Sequence, residues 1–148
     1  MELAQSDETR RRALLDSIRQ QGGIDPTGTR SPLVSLEDFF IGNVDMGSIG
    51  CNLMRHPRIA TFYKTLKQIR EHPDVQDILV GISDVEETEG IWPFSDAIYI
   101  LTRLPVRKVT RWLKRLQPDE VYDVPTDRQP ERLPEPLPGY RIVLAWWD

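Results

Sequence analysis

One cysteine (Cys51) and two histidines (His56 and His72) are the entire stock of thiol and imidazole groups in a chain of 148 residues. A lone cysteine excludes an internal disulfide framework and points to a reducing compartment. Structural zinc sites need four organised nitrogen or sulfur ligands, and the pair Cys51-x4-His56 together with His72 supplies three. No metal or other cofactor is therefore expected, and Cys51 reads as a buried free thiol beside a helix-capping histidine. Long apolar runs are missing as well. Nothing approaches the roughly 20 residues of a membrane span, and the opening MELAQSDETRRR lacks the apolar stretch of a secretory signal. The expected setting is cytoplasmic, with no membrane partner. Positive charge is in deficit: 19 Lys and Arg stand against 23 Asp and Glu, a net −4, with a pI near 5.2. That balance argues against nucleic-acid binding through an overall basic surface.

Catalytic signatures are scarce too. There is no G-x-S-x-G elbow, and neither Ser83 nor Ser95 has a histidine close in sequence. Asp84, Glu86, Glu87 and Glu89 crowd onto one hairpin tip, where solvated repulsion is more natural than the paired carboxylates of hydrolytic chemistry.

What is present describes one ordinary domain. A mass of 17.1 kDa implies about 7,800 Å² left exposed and roughly 69% of the unfolded surface buried, enough for a core without staples. Hydrophobic residues make up 39% and the mean hydropathy is −0.43, as in soluble proteins. Residues 2–20 read as a helix with a thin stripe of Leu14, Leu15 and Ile18, its Arg10-Arg11-Arg12 run forming a solvated face. Residues 21–32, QGGIDPTGTRSP, read as a flexible linker, which makes residues 1–32 an appendage to a globular domain over 33–148. Ser35 to Asp38 match a capping box opening a short helix that docks Leu36, Phe39 and Phe40. Pro57 suits a first helical position, and Ile59, Phe62, Tyr63, Leu66 and Ile69 follow at helical spacing. Ile78, Val80 and Ile82 alternate as in a strand with one buried face. AIYILT, residues 97–102, is apolar on both faces and so belongs at the centre of a sheet. Pro105 opens another helix, with Val106, Val109, Leu113 and Leu116 inward, which Pro118 stops. Residues 120–123 form a short edge strand, the five prolines of 124–139 impose a surface loop, and residues 140–147 close the chain as a strand. The fold class is α+β: about four mainly antiparallel strands, helices packed on one face, order α-β-β-α-β-β, plus the N-terminal helix.

Three segments are candidates for binding. The loop Gly42–Asn52, GNVDMGSIGCN, has glycines that let backbone N–H groups converge on an anion, with Asn43, Asp45, Ser48 and Asn52 as polar contacts. It lacks the Lys-Ser or Lys-Thr ending of a P-loop and the repeated carboxylates of an EF-hand, so Asn43 and Asp45 read equally as turn caps. Between Ala97 and Pro118 there are six bases and no acids, and Arg107, Arg111 and Lys114 present a helix face able to grip phosphates or an acidic partner. In the terminal strand, Tyr140, Ile142, Leu144 and Trp146 share one face and Arg141, Val143, Ala145 and Trp147 the other. The first set is large and apolar, which assigns Trp146 to the core and makes Trp147 a candidate interface anchor.

The phrases LEDFF, GN-x-D-x-GSIGCN, WPFSD, PDEV and the terminal WWD together resemble a group of small, uncharacterised bacterial proteins. The resemblance covers Leu33 to Asp148, leaves the first 32 residues outside, and implies a bacterial cytoplasmic setting; it brings no activity and no catalytic residues to carry over. The resulting expectation is a protein-interaction module, in its narrower form an immunity or antitoxin-type protein that neutralises or regulates a protein partner. The competing expectation is an enzyme or small-ligand binder using loop 42–52.

Overall fold

The computed structural model describes residues 5–25, 27 and 30–148. Five strands, β1 (Leu33–Ser35), β2 (Val75–Asp84), β3 (Phe94–Thr102), β4 (Glu120–Asp123) and β5 (Arg141–Trp146), form one sheet in the order β1-β2-β3-β5-β4. Every pairing between neighbours is antiparallel. Four helices accompany them: α1 (Glu8–Gln20), α2 (Leu36–Phe40), α3 (Ile59–Arg70) and α4 (Val106–Leu113), the last continuing as a 3-10 turn over Lys114–Leu116. The strand-length alternation at Ile78, Val80 and Ile82 and the doubly apolar AIYILT run place β2 and β3 as expected, with β3 in the middle of the sheet.

Register explains how the core is built. Val34, Val80, Ile98, Ala145 and Val121 lie opposite one another in a single row across all five strands. Residues opposite one another in an antiparallel ladder share a face. This row, with Ile78, Ile100 and Val143 in the next, meets Leu36 and Phe39 of α2, Phe62 and Leu66 of α3, and Val109 and Leu113 of α4 in one apolar cluster. The stripe on α3 has the spacing that the sequence shows, and each of its buried residues points to that cluster.

Several expectations need correction. The sheet has five strands rather than about four, because β1 is only three residues long and is absorbed in sequence by the helix signal that follows it. Ser35 ends β1 and caps α2 at once, its Oγ accepting from the Asp38 N–H at 3.0 Å. Helix α1 is not part of a detached appendage: its Leu14 and Ile18 belong to the main cluster. Arg11 is not a solvated charge; it is buried, donating from Nε to the Ile91 carbonyl (2.7 Å) and from Nη2 to that of Thr88 (2.7 Å), with Glu8 at 2.8 Å. Pro26, Gly28 and Thr29 of the expected linker lie outside the described residues. Helix α3 starts at Ile59, two residues after Pro57, because Arg58 is held at φ +82° by the His56 ring, whose Nδ1 accepts the Arg58 N–H at 2.8 Å. The Pro-rich loop contains a short 3-10 turn at Thr126–Arg128. From β4 at one edge it reaches Gln76 of β2, which bonds Glu135 and Leu137, and the Gln21 carbonyl, which accepts from Arg132.

Candidate interaction surfaces

Loop 42–52 turns its polar groups inward. Gly42 has φ +85°, and a Cβ there would lie 2.9 Å from Arg10 Cδ and Asp7 Cβ, so the close approach of α1 requires glycine. Gly50 is also left-handed at φ +66°, while Gly47 is not among the positive-φ glycines. Asn43 is buried; its Nδ2 donates to the Phe39 carbonyl (3.2 Å) and Ser48 Oγ (3.0 Å), and its Oδ1 accepts from the Asp45 N–H (2.9 Å). Asp45 accepts from the Gly47 and Trp92 N–H groups at 2.9 and 3.3 Å. Ser48 donates to the Asp45 carbonyl at 2.7 Å, and Asn52 donates to the Asp148 carbonyl at 2.9 Å. The sequence brings Asn43, Asp45 and Ser48 together as a self-bonded turn, and Asn52 ties that turn to the chain end. Ile49 is the residue this loop sends into the core. Cys51, expected to be buried, is exposed, because it follows Gly50 on the outer side of the turn. Among the described residues, no group of three His, Cys, Asp or Glu side chains could hold a metal ion.

The terminal strand reverses the expected assignment. Trp147 is 1% exposed, packs its ring against Phe62 at 5.5 Å, and donates from Nε1 to the Leu116 carbonyl at 2.8 Å. It is a core residue and is not available as an interface anchor. Trp146 is the half-buried one. Size and apolarity misled because both faces of the central strands are apolar. The helix-covered face is the one carrying Val143, Ala145 and Trp147, and only the helices' position selects it.

Helix α4 presents the expected basic face. Arg107, Arg111, Lys114 and Arg115 are exposed and, among the described residues, form no ion pair. Arg103 is paired with Asp74, and Lys108 lies 5.8 Å over the Trp112 ring. Trp112 in turn meets His72, at the end of α3, with ring centroids 4.9 Å apart. A shallow groove of about 280 Å³ runs there between α3 and α4, lined by Thr65, Gln68, Ile69, His72 and Trp112. Helix α3 is cationic on its outer side as well. Residues 53–72 and 103–117 together carry eleven lysines and arginines and one acid, a net +10, while the other eight bases and 22 acids leave −14 elsewhere.

The second face of the sheet carries Leu144 and Trp146, which the sequence assigns to the core. Leu79, Tyr99, Leu144 and Tyr122 form one row on it, and Leu33, Gly81, Ala97, Trp146 and Glu120 the next. Gly81 has ordinary backbone geometry, but a Cβ there would lie 3.1 Å from Tyr99 Cε2, so the bare glycine makes room for the ring. Asp96 is the extra residue where register shifts between Gly81 and Ile82. Burial pushes its carboxyl above the ordinary carboxylate range, opposed by a bond from the Trp146 side chain. Burial, Asp96 and Tyr122 push the Tyr99 phenol up to about 12. Alternation groups Ala97 with Tyr99 within β3 and Leu144 with Trp146 within β5, but only the register between strands brings these two sets and Tyr122 together.

A five-stranded antiparallel sheet covered by helices α1–α4, with no metal cluster among the described residues, defines a small α+β protein of the kind that the sequence phrases suggested. The chain belongs to the Uncharacterized protein YfbO family, whose pattern matches residues 9–145. It is 34% identical over 132 residues to the Uncharacterized protein YfbO of Escherichia coli (strain K12), covering 88% of this chain and 93% of that protein. No solved structure matches. The family match takes in α1, which the phrase resemblance left outside; its burial in the core is the physical reason that it belongs there.

Proposed function

We propose that this chain is a protein-interaction module that holds an acidic surface of a protein partner against α4 and the outer side of α3. The observation that supports this reading is the segregated charge: α3, α4 and the 3-10 turn that continues α4 carry eight lysines and arginines and no acid in a protein of net −4, and among the described residues Arg107, Arg111, Lys114 and Arg115 form no ion pair. Like charges gathered on neighbouring helices repel one another, and an acidic surface relieves that repulsion on contact. The narrower form of the reading is an immunity or antitoxin-type protein, which its small size and net negative charge support. A cytoplasmic setting is part of the same reading, supported by the single exposed cysteine. Among the described residues no helix is long and apolar enough to cross a membrane. The alternative of a small-ligand site in loop 42–52 has less support, because Asn43, Asp45 and Ser48 spend their polar groups on the loop itself.

The test is affinity capture from the organism's own cells with the native chain and with the triple variant Arg107→Glu, Arg111→Glu, Lys114→Glu. The variant should stay folded, since exposed substitutions each shift stability by about 0.5 kcal/mol or less, and should lose a protein that the native chain retains. Retention of the same proteins by both, or retention only of nuclease-sensitive material, would overturn the proposal.

A further inference from the structure

The second sheet face has chemistry opposite to that of α4. Tyr99 and Tyr122 flank Leu144 from the strands on either side, and Trp146 stands one row along on the strand between them. Diagonal neighbours of this kind lie roughly 7–8 Å apart between Cα atoms, within reach of aromatic side chains. Three rings therefore surround one small area. Tyr122 is 41% exposed, and Tyr99 and Trp146 are partly open. Neither phenol has a hydrogen-bond partner among the described residues, and the Tyr99 hydroxyl keeps contact with solvent, since among those residues the one buried side-chain polar atom without a partner is Nε1 of Trp92 in the main core.

Acid accompanies the rings. Asp96 is the bulged residue next to Ala97, which lies directly opposite Trp146, and its carboxylate accepts a bond from the Trp146 side chain; Glu120 is directly opposite Trp146 on the other side. Asp96 forms no ion pair among the described residues. None of the residues that register places in these two rows is a lysine or arginine. Aromatic faces attract cations through their quadrupole, more strongly when water is partly excluded. A planar guanidinium can stack on a ring while its edge meets a carboxylate in two bonds, a combination that an ammonium does not offer.

We propose that this face is a receptor for an arginine side chain of a partner protein, with Tyr99, Tyr122 and Trp146 as the walls and Asp96 as the counter-charge. The site lies on the sheet face opposite the one that Val109 and Leu113 of α4 cover, and it would remain if the acidic-partner reading failed.

The experiment follows the indole N–H resonances of the full chain during titration with acetyl-Gly-Arg-Gly-amide, the Trp146 signal being identified by its loss in Trp146→Phe. The arginine peptide should shift that signal, and the matching citrulline peptide should not. Asp96→Asn should weaken binding by about tenfold or more. The triple neutralisation Glu86→Gln, Glu87→Gln, Glu89→Gln at the hairpin tip should leave it within about twofold. Tyr122→Leu, at an exposed position, should also weaken binding and supplies a folded variant if Asp96→Asn lowers stability. Equal binding of the citrulline peptide would overturn the proposal. So would an equal loss from the hairpin-tip variant, or no Trp146 shift up to about 10 mM peptide. Free arginine binding as tightly as the peptide would mark a small-ligand site and overturn the partner-protein occupant.

Discussion

Glu37 and Arg70 face each other in a two-bonded ion pair that ties α2 to α3, with Nη1 to Oε1 at 2.7 Å and Nη2 to Oε2 at 2.6 Å. Tyr63 adds a third bond to Oε2 at 3.2 Å. The Arg70 guanidinium, first by its hydrogen bonds, lowers the Glu37 carboxyl to about 2. A carboxyl lowered in the folded state stabilises above its unfolded value and loses that contribution as acid reaches the folded one. Stability should therefore fall as pH drops from about 4.5 toward about 2, and Glu37→Gln should flatten that part of the profile. Because the Glu37 side chain is 39% exposed, solvent screening limits the effect to about 1 kcal/mol. Urea unfolding of both proteins across this pH range is the measurement.

Trp147→Ala should cost about 3–5 kcal/mol, as a large core truncation that also strands the Leu116 carbonyl. Trp146→Ala should cost about 1–2 kcal/mol. Urea midpoints of the two variants check the order.

Gly42→Ala should destabilise by about 1–3 kcal/mol, since it adds left-handed strain to a close approach by α1. Gly47→Ala has no such strain and meets only Asp45 Oδ1 at 3.2 Å, so its cost should stay within about 1 kcal/mol. Thermal unfolding separates the two.

Arg11→Ala should cost about 2–3 kcal/mol, because it leaves two carbonyls of the β2–β3 connection without their charged donor. Arg10→Ala, at an exposed position, should stay within about 0.5 kcal/mol. Hydrogen exchange should speed up along α1 in the first variant and not in the second.

Much of the element map was legible because it depends on neighbours in the chain. The α3 stripe, the alternation of β2, the apolar run of β3 and the proline-started α4 all record which side chains must leave water. The Ser35 cap was readable for the same reason, since donor and acceptor lie three residues apart. Loop 42–52 is legible in outline as a turn with Asn43 and Asp45 as caps, although the partner of Asn52 and the second partner of the Asp45 carboxylate come from 96 and 47 residues away.

The amino-acid sequence by itself thus determined the α+β class, the central place of β3, the edge position of β4 and the basic face of α4, because local periodicity and composition encode them. Tertiary structure alone decided which face of β5 is the core, whether Arg11 is a surface charge or a buried hook, and whether Asp96 meets Tyr99 and Trp146. Each of those outcomes depends on what packs opposite a residue, and the partners come from strands or loops far along the chain. A strand that is apolar on both sides does not carry that information in its own residues; the helices confer it by covering one face and leaving the other to Tyr99, Tyr122 and Trp146.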